Sequence, residues 1–422
     1  MAASNLNTES ICRFLRTGGT RCPCHLLVIA RYSRYELIWG HSSCHNKWRT
    51  QLAPSSLAII GLCLISVQLP ALADEARLTD QIRETISKTI DREGIPGLSL
   101  AVAKDNRIIY SRAFGLADVE NDVSVTTETR FRTASIAKSM TATLILKLSE
   151  DGLLDLDEGV QKYVPQYPDK KWKVTSRQVL GHLGGIRHYK SKSEASSTEY
   201  FNSLKAALRT FADDPLLHEP GTKFRYSSFG YNLLGSVAEG AGKKDFMTLL
   251  NKHVLTPAGM TQTESDDHFR IIKRRARGYI RLAQPVHQIL SDSIKVQGRL
   301  LNAALHDTSM KIPGGGLVST PEDLVRFAIA VNTHKLLKDE TVGMMWTAQQ
   351  TDDGKSTGYG LGWGVGNSGS RKTVSHSGGQ SGTSTMLHML PDSGTCVVIM
   401  CNLQGVKLRA AAAEIAKLVS PE

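Results

Sequence analysis

Two pairs of β-rich runs, one near each end of the chain and each closed by a short turn, constrain the fold more than any other feature. Residues 97–104 and 107–114 flank Asp105-Asn106, a two-residue turn of the kind that closes hairpins. Residues 383–390 and 395–401 flank Pro391-Asp392-Ser393-Gly394. Outside each pair lies a helical pattern: Leu78, Ile82, Ile86 and Ile90 recur every four positions, and 406–419 is alanine-rich. Both termini should therefore contribute strands and a covering helix. Between them, from about 133 to 310, helical patterns dominate, including 134–152, 204–212 and 231–240, joined by Gly-, Pro- and Ser-rich loops. The polar stretch 190–199 reads as a mobile loop. The expected fold is α/β: an antiparallel sheet with flanking N- and C-terminal helices, made of 74–132 and 313–422, plus an inserted α-rich part over 133–312.

A chain of 422 residues with 41% hydrophobic content is long and apolar enough to bury a core. Its formal charge is +11, but residues 1–73 hold seven basic and two acidic side chains, so the remainder is only +6. That distribution argues against a nucleic-acid partner, which needs the charge clustered on the folded part. Lys273, Arg274, Arg275, Arg277 and Arg281 form one dense basic patch, read as a solvated helix face.

The leader has its own character. Lys47 and Arg49 precede an apolar run over 52–69, followed by Ala71-Leu72-Ala73 and then Asp74-Glu75, a pattern that fits an export signal over about 47–73 with cleavage after Ala73. Residues 74–422 would then form the exported domain, periplasmic or secreted, with membrane association only through the leader. The alternative takes the Arg-containing, acid-poor first 50 residues as an organelle transit peptide, mitochondrial in a eukaryotic source, with 52–69 as an anchor. Five of the seven cysteines lie in this leader, and Cys22, Cys24, His25, Cys44 and His45 match no ordinary structural zinc spacing. Cys396 and Cys401 sit five apart in one strand, so their side chains point to opposite faces and do not bridge.

Ser135-Ile136-Ala137-Lys138 is the only Ser-x-x-Lys in the chain. At a helix start, an i to i+3 step stacks the lysine amine beside the serine hydroxyl. Serine is a weak nucleophile at neutral pH and needs an adjacent base, which a desolvated lysine can supply. Ninety-one residues later comes Tyr226, in a turn leading into the apolar helix that begins near Gly230-Tyr231-Asn232-Leu233-Leu234. A third segment, Val374-Ser375-His376-Ser377-Gly378-Gly379, stands just before a strand.

In order and spacing these three segments resemble the motifs of the serine β-lactamase-like superfamily, which includes class C β-lactamases, serine D-alanyl-D-alanine peptidases and related esterases. The resemblance runs from roughly Leu78 to Leu418. Gly185-Ile186-Arg187-His188-Tyr189, Tyr163-Val164-Pro165 and Met345-Trp346-Thr347 look most like the mitochondrial members and their bacterial relatives. It implies that Ser135 is the nucleophile, that Lys138 and Tyr226 share the proton work, and that the backbone N–H groups of Ser135 and Gly379 hold the oxyanion. Ser228, His376 and Gly378 fall on the substrate side. Two departures stand out: Ser228 replaces the usual Asn, and Gly184 replaces the usual Ser. A neutral imidazole at His376, where relatives carry a lysine, implies weaker preference for carboxylate-bearing β-lactams. The implied activity is hydrolysis of a small-molecule, peptide or ester substrate through an acyl-enzyme, with no metal and no cofactor. The alternative is a non-catalytic or self-assembling scaffold with a vestigial site. His218, His253, His268, His287 and His388 stand alone without metal spacing and read as structural.

Overall fold

The structure, a computed structural model, describes residues 54–281 and 298–421, with side chains from Asp74 onward. The leader before residue 54, with Cys12, Cys22, Cys24, Cys44, its histidines and its basic flank, lies outside the described residues, as does His287; the apolar run from residue 54 on belongs to a helix that continues to Glu93. No helix among the described residues is long and apolar enough to cross a membrane. The described residues from Ser66 onward form one unit.

Strands in chain order are β1 (Gly97–Lys104), β2 (Arg107–Asp118), β3 (Val123–Ser124), β4 (Phe131–Arg132), β5 (Glu264–Ser265) and β6 (Tyr279–Arg281). There follow β7 (Leu300–Asn302), β8 (Leu317–Ser319), β9 (Gly364–Ser368), β10 (Arg371–Gln380), β11 (Thr383–Leu390) and β12 (Thr395–Cys401). Seven of them make an antiparallel sheet in the order β3-β2-β1-β12-β11-β10-β9. The first and last hairpins thus meet at its centre, with Leu98 opposite Cys401 and Ala103 opposite Cys396. Asp105 and Asn106 both take positive φ, 49° and 58°, the backbone that matches a two-residue turn to strand twist.

Alternation sorts the two faces. Leu98, Leu100, Val102, Val397, Ile399 and Cys401 point to one side, where Ile82 and Ile86 of the helix Pro54–Glu93 and Ala412, Ile415 and Val419 of the helix Arg409–Val419 cover them. Burying each isoleucine contributes roughly 1.5–3 kcal/mol. Ala101, Ala103, Cys396, Val398 and Met400 point to the other side, into a core shared with the helices Ala137–Glu150, Ser228–Gly242 and Pro321–Asn332. Cys396 and Cys401 are free and buried on opposite faces, as their spacing requires.

A small second sheet, β4-β8-β5, matters most for the site. Phe131 pairs with Ser319 and Arg132 with Val318, so the chain leaving β4 toward residue 135 runs beside the chain entering β8 from residue 314. Two segments 180 residues apart are thereby set side by side. The basic stretch 273–281 is not the helix expected of it: it runs through a turn and extended chain into β6. Its charges are met locally, Arg274 by Glu128 at 3.3 Å and Arg275 by Asp266 at 3.1 Å. The stretch 190–199 carries a short helix, Lys192–Ala195, capped by the Ser191 side chain, which accepts from Glu194 N.

Candidate active site

Ser135 lies in a single 3-10 turn, Ala134–Ile136, that feeds directly into the helix Ala137–Glu150. That turn is fixed from outside. Thr133 N donates to Leu317 O at 2.8 Å, and Thr133 O accepts from Thr385 Oγ1 of β11 at 3.0 Å. Ala134 is held at φ 45°, a conformation an L-residue adopts only under such constraint. Gly378 of β10 packs against the same turn: a Cβ there would lie 2.3 Å from Thr385 Oγ1 and 2.6 Å from Thr133 O. Only glycine lets strand and turn approach this closely.

Lys138 is fully buried one helical turn on. Its Nζ reaches three oxygens: Ser135 Oγ at 3.3 Å, Ser228 Oγ at 3.1 Å and Gly314 O at 2.6 Å. Burial, and behind it the like charge of Lys311, holds this amine well below the ordinary lysine value. Its neutral form is thus favoured. The amine also lies over the ring of Tyr226, 5.0 Å from the centroid.

Tyr226 stands in the loop before the helix Ser228–Gly242, whose N-cap is Ser227: its side chain accepts from Gly230 N at 2.9 Å and donates to Arg187 O at 2.7 Å. Burial raises the Tyr226 phenol above its usual value, and a hydrogen bond with Ser135 lowers it by less. Burial thus outweighs the hydrogen bond and keeps Tyr226 a phenol. A cleft lined by His188, Tyr189, Leu217, Phe224 and Tyr226 opens on this side of the site.

Ser228, in place of the usual Asn, still brings an oxygen to Lys138. Gly184 sits against Val179, where an added Cβ would meet a methyl at 2.9 Å, so this site is packed for hydrogen rather than a side chain.

The third segment lies within β10 and directly precedes β11. β9 pairs with β10 only as far as Ser375, so from His376 onward one edge of β10 has no neighbouring strand in this sheet. Gly379 is exposed there, with nothing within 4 Å of where its Cβ would be. His376 is buried, and both ring nitrogens are engaged. Nδ1 is 2.7 Å from Ser377 O, which can only accept, so Nδ1 carries the proton and Nε2 accepts from the Tyr359 hydroxyl at 2.9 Å. Burial first, and the charge of Lys138 second, push its pKa down to about 3.

Ser135, Tyr226 and Ser228 thus all gather around Lys138, while Gly378 braces the Ser135 turn and Gly379 lies on the open strand edge. Sequence reasoning gave no role to the Gly314 carbonyl or to His182. His182 is buried against Tyr226, ring centroids 4.3 Å apart, and its Nδ1 accepts from Ser227 N at 3.2 Å. No cluster of His, Cys, Asp and Glu side chains suited to a metal occurs among the described residues.

A serine beside a buried, carboxylate-free lysine, at the junction of an antiparallel sheet and a helical region, defines the class of β-lactamase-like serine hydrolases. The chain belongs to the Beta-lactamase family, which matches residues 82–420. It is 31% identical to the serine beta-lactamase-like protein LACTB, mitochondrial, of Homo sapiens, over 81% of this chain and 79% of that one. It resembles the octameric penicillin-binding protein homologue from Pyrococcus abyssi with a TM-score of 0.66 at 25% identity, covering 81% of this chain and 77% of that one. The D-amino acid amidase from Ochrobactrum anthropi SV3 shares the fold, with a TM-score of 0.67 at 24% identity over 81% of this chain and 98% of that one.

Proposed function

We propose that this chain is a catalytically competent serine acyl hydrolase, cleaving a peptide or ester substrate through an acyl-enzyme on Ser135. The observation that carries the reading is Lys138 Nζ 3.3 Å from Ser135 Oγ, fully buried, hydrogen-bonded to oxygens and, among the described residues, to no carboxylate. A neutral amine has two hydrogens and one lone pair. With the hydrogens donated to Gly314 O and Ser228 Oγ, the lone pair is left for the Ser135 proton. Lys138 is then the base that takes the Ser135 proton, and Tyr226, kept a phenol, passes its own proton to the leaving group and is reprotonated by the Lys138 ammonium. The oxyanion would lie between the N–H of Ser135 and that of Gly379; one such donor contributes on the order of 3 kcal/mol to the barrier.

Labelling with a fluorophosphonate and with a fluorescent penicillin, beside Ser135→Ala, tests this. The native chain should label and the variant should not. A blank native chain would establish the non-catalytic scaffold instead. Ester, D-alanyl peptide and β-lactam substrates then divide the enzyme class. For the leader, similarity to a mitochondrial human protein supports the organelle alternative over export. Import of a fusion carrying residues 1–73 into isolated mitochondria tests that, and failure to import would return the reading to export.

A further inference from the structure

Where β9 stops pairing, something else must hold β10. The ladder between them ends with Ser375 opposite Gly364, short of Gly379. In a strand, residues two apart send their N–H and C=O groups to the same edge, so the edge on which the Gly379 N–H is offered to an oxyanion is also the edge of Ser377 O. A neighbouring strand would normally give that carbonyl its donor. Here the donor is a side chain, His376 Nδ1, 2.7 Å away. The imidazole is held in turn, because its Nε2 accepts from the Tyr359 hydroxyl at 2.9 Å. His376 is 5% exposed and Tyr359 8%, so water hardly competes for either bond.

Tyr359 lies shortly before β9, on backbone that is itself pinned. Its carbonyl accepts from Gln349 N at 2.8 Å and from Thr357 Oγ1 at 3.0 Å, and an antiparallel bridge joins it to Gly364. The hydroxyl therefore issues from a fixed point. The ring packs against His182, centroids 4.8 Å apart, and stands edge-on to Tyr226 at 6.5 Å. One residue past Ser377, Gly378 abuts the Thr133 carbonyl and Thr385 so closely that a Cβ would not fit. β10 is thus gripped at 377 by the imidazole and at 378 by the turn that carries Ser135. Gly379 is the next residue, and it has no side chain of its own to pack.

We propose that Tyr359 and His376 form a strut that takes over where β9 ends, holding Ser377 so that the Gly379 N–H is aimed at the oxyanion before substrate arrives. Both are positioning residues, and neither touches the reacting atoms. This rests on Gly379 serving the proposed hydrolase as an oxyanion donor. It gives His376 a task that needs no charge: a neutral imidazole has one donor and one acceptor, and the strut uses both in a fixed order. A lysine in its place could only donate, so it could not accept from Tyr359. A donor aimed in advance stabilises developing charge without rearranging at the moment of reaction.

Tyr359→Phe keeps the ring and removes only the hydroxyl, and NMR of the full chain carrying nitrogen-15 in its glycines reads the consequence at Gly379. A fluorophosphonate bonded to Ser135 sets its P=O oxygen where the oxyanion would lie. On that reaction the Gly379 amide proton should move downfield in the native chain and markedly less in Tyr359→Phe. Labelling should slow about tenfold, a part of the roughly hundredfold or more that loss of a whole oxyanion donor costs. With an ester substrate the loss should fall on kcat and spare KM, because the oxyanion is absent from the ground state. His376→Asn, which can still donate to Ser377 O, should keep more of the rate than His376→Leu. An equal Gly379 shift in native and Tyr359→Phe chains overturns the strut, as does His376→Leu labelling at the native rate. If the native chain does not label at all, the hydrolase reading fails and the strut is judged on the free chain: the Gly379 amide resonance should move in Tyr359→Phe, and an unmoved resonance overturns it.

Discussion

The Nζ of Lys138 and the carbonyl oxygen of Gly314 lie 2.6 Å apart, although 176 residues separate them in the chain. This contact fixes where the lysine's lone pair can point. A backbone carbonyl accepts and never donates, so one amine hydrogen is committed to it, and the Ser228 hydroxyl at 3.1 Å takes the second. What remains faces Ser135. The short pairing of β4 with β8 is what holds the carbonyl in place.

Ser228→Ala removes one of these two acceptors and leaves an amine hydrogen unpaired in a buried site. A lost hydrogen bond of this kind costs about 1–2 kcal/mol, so the rate of Ser135 labelling should fall by roughly tenfold while the fold persists. Stopped-time labelling with a fluorophosphonate measures it. A native rate in the variant would mean that Gly314 alone orients the amine.

Gly378→Ala and Gly379→Ala should part company. At 378 the new methyl meets Thr385 Oγ1 and the Thr133 carbonyl inside van der Waals contact, so strand and turn must separate, at a cost of about 1–3 kcal/mol in stability. Labelling should drop with it, because Ser135 rides on that turn. At 379 there is open space and the backbone N–H is retained, so the variant should melt as the native chain does. Thermal unfolding of the two proteins side by side is the check, and equal melting temperatures would contradict the packing argument.

Much of this fold is legible in the sequence. β11 and β12 begin and end at the residues that alternation and the Pro391–Ser393 turn mark out. The 105–106 turn forms as its residue types require. β2 runs on to Asp118, past the expected end at 114, because Leu116 and Asp118 pair with β3, a strand too short to show a pattern. The helix expected from Tyr231 starts at Ser228, since Ser227 caps it and apolar periodicity says nothing about caps. In the site, the reactive side chains were readable because their chemistry demands particular residue types. The Gly314 carbonyl was not: every residue has a carbonyl, and only the pairing of β4 with β8, two and three residues long, brings this one to Lys138.

His376 should not recruit a substrate carboxylate. Its proton sits on Nδ1 toward Ser377 O, Nε2 is occupied by Tyr359, and with a pKa pushed down to about 3 it gains no charge between pH 5 and 8. Turnover of nitrocefin relative to an uncharged ester should therefore be low and constant across that range. A ratio that rises several-fold toward pH 5 would show an imidazolium at work.

The same burial makes the protein sensitive to acid earlier than carboxylates alone would. His182, His306, His376 and His388 are all buried; His376 and His306 are pushed down to about 3, His388 to about 4, and His182 well below its ordinary value, in every case chiefly by burial. In the unfolded chain each returns to about 6.5. Below that pH the unfolded state binds protons that the folded state refuses, so stability is intact above about 6.5 and is lost as pH falls toward the folded values. Each such histidine removes at most about 1.4 kcal/mol per pH unit in that window, so four together outweigh the few kcal/mol that separate a marginal fold from an unfolded one. Urea midpoints should accordingly drop steeply between pH 6.5 and 5, before most carboxylates titrate. In His388→Leu, whose native Nδ1 is buried without a hydrogen bond, the slope should flatten by about one proton. Midpoints unchanged from pH 7 to 5 would show that these imidazoles protonate in the folded chain.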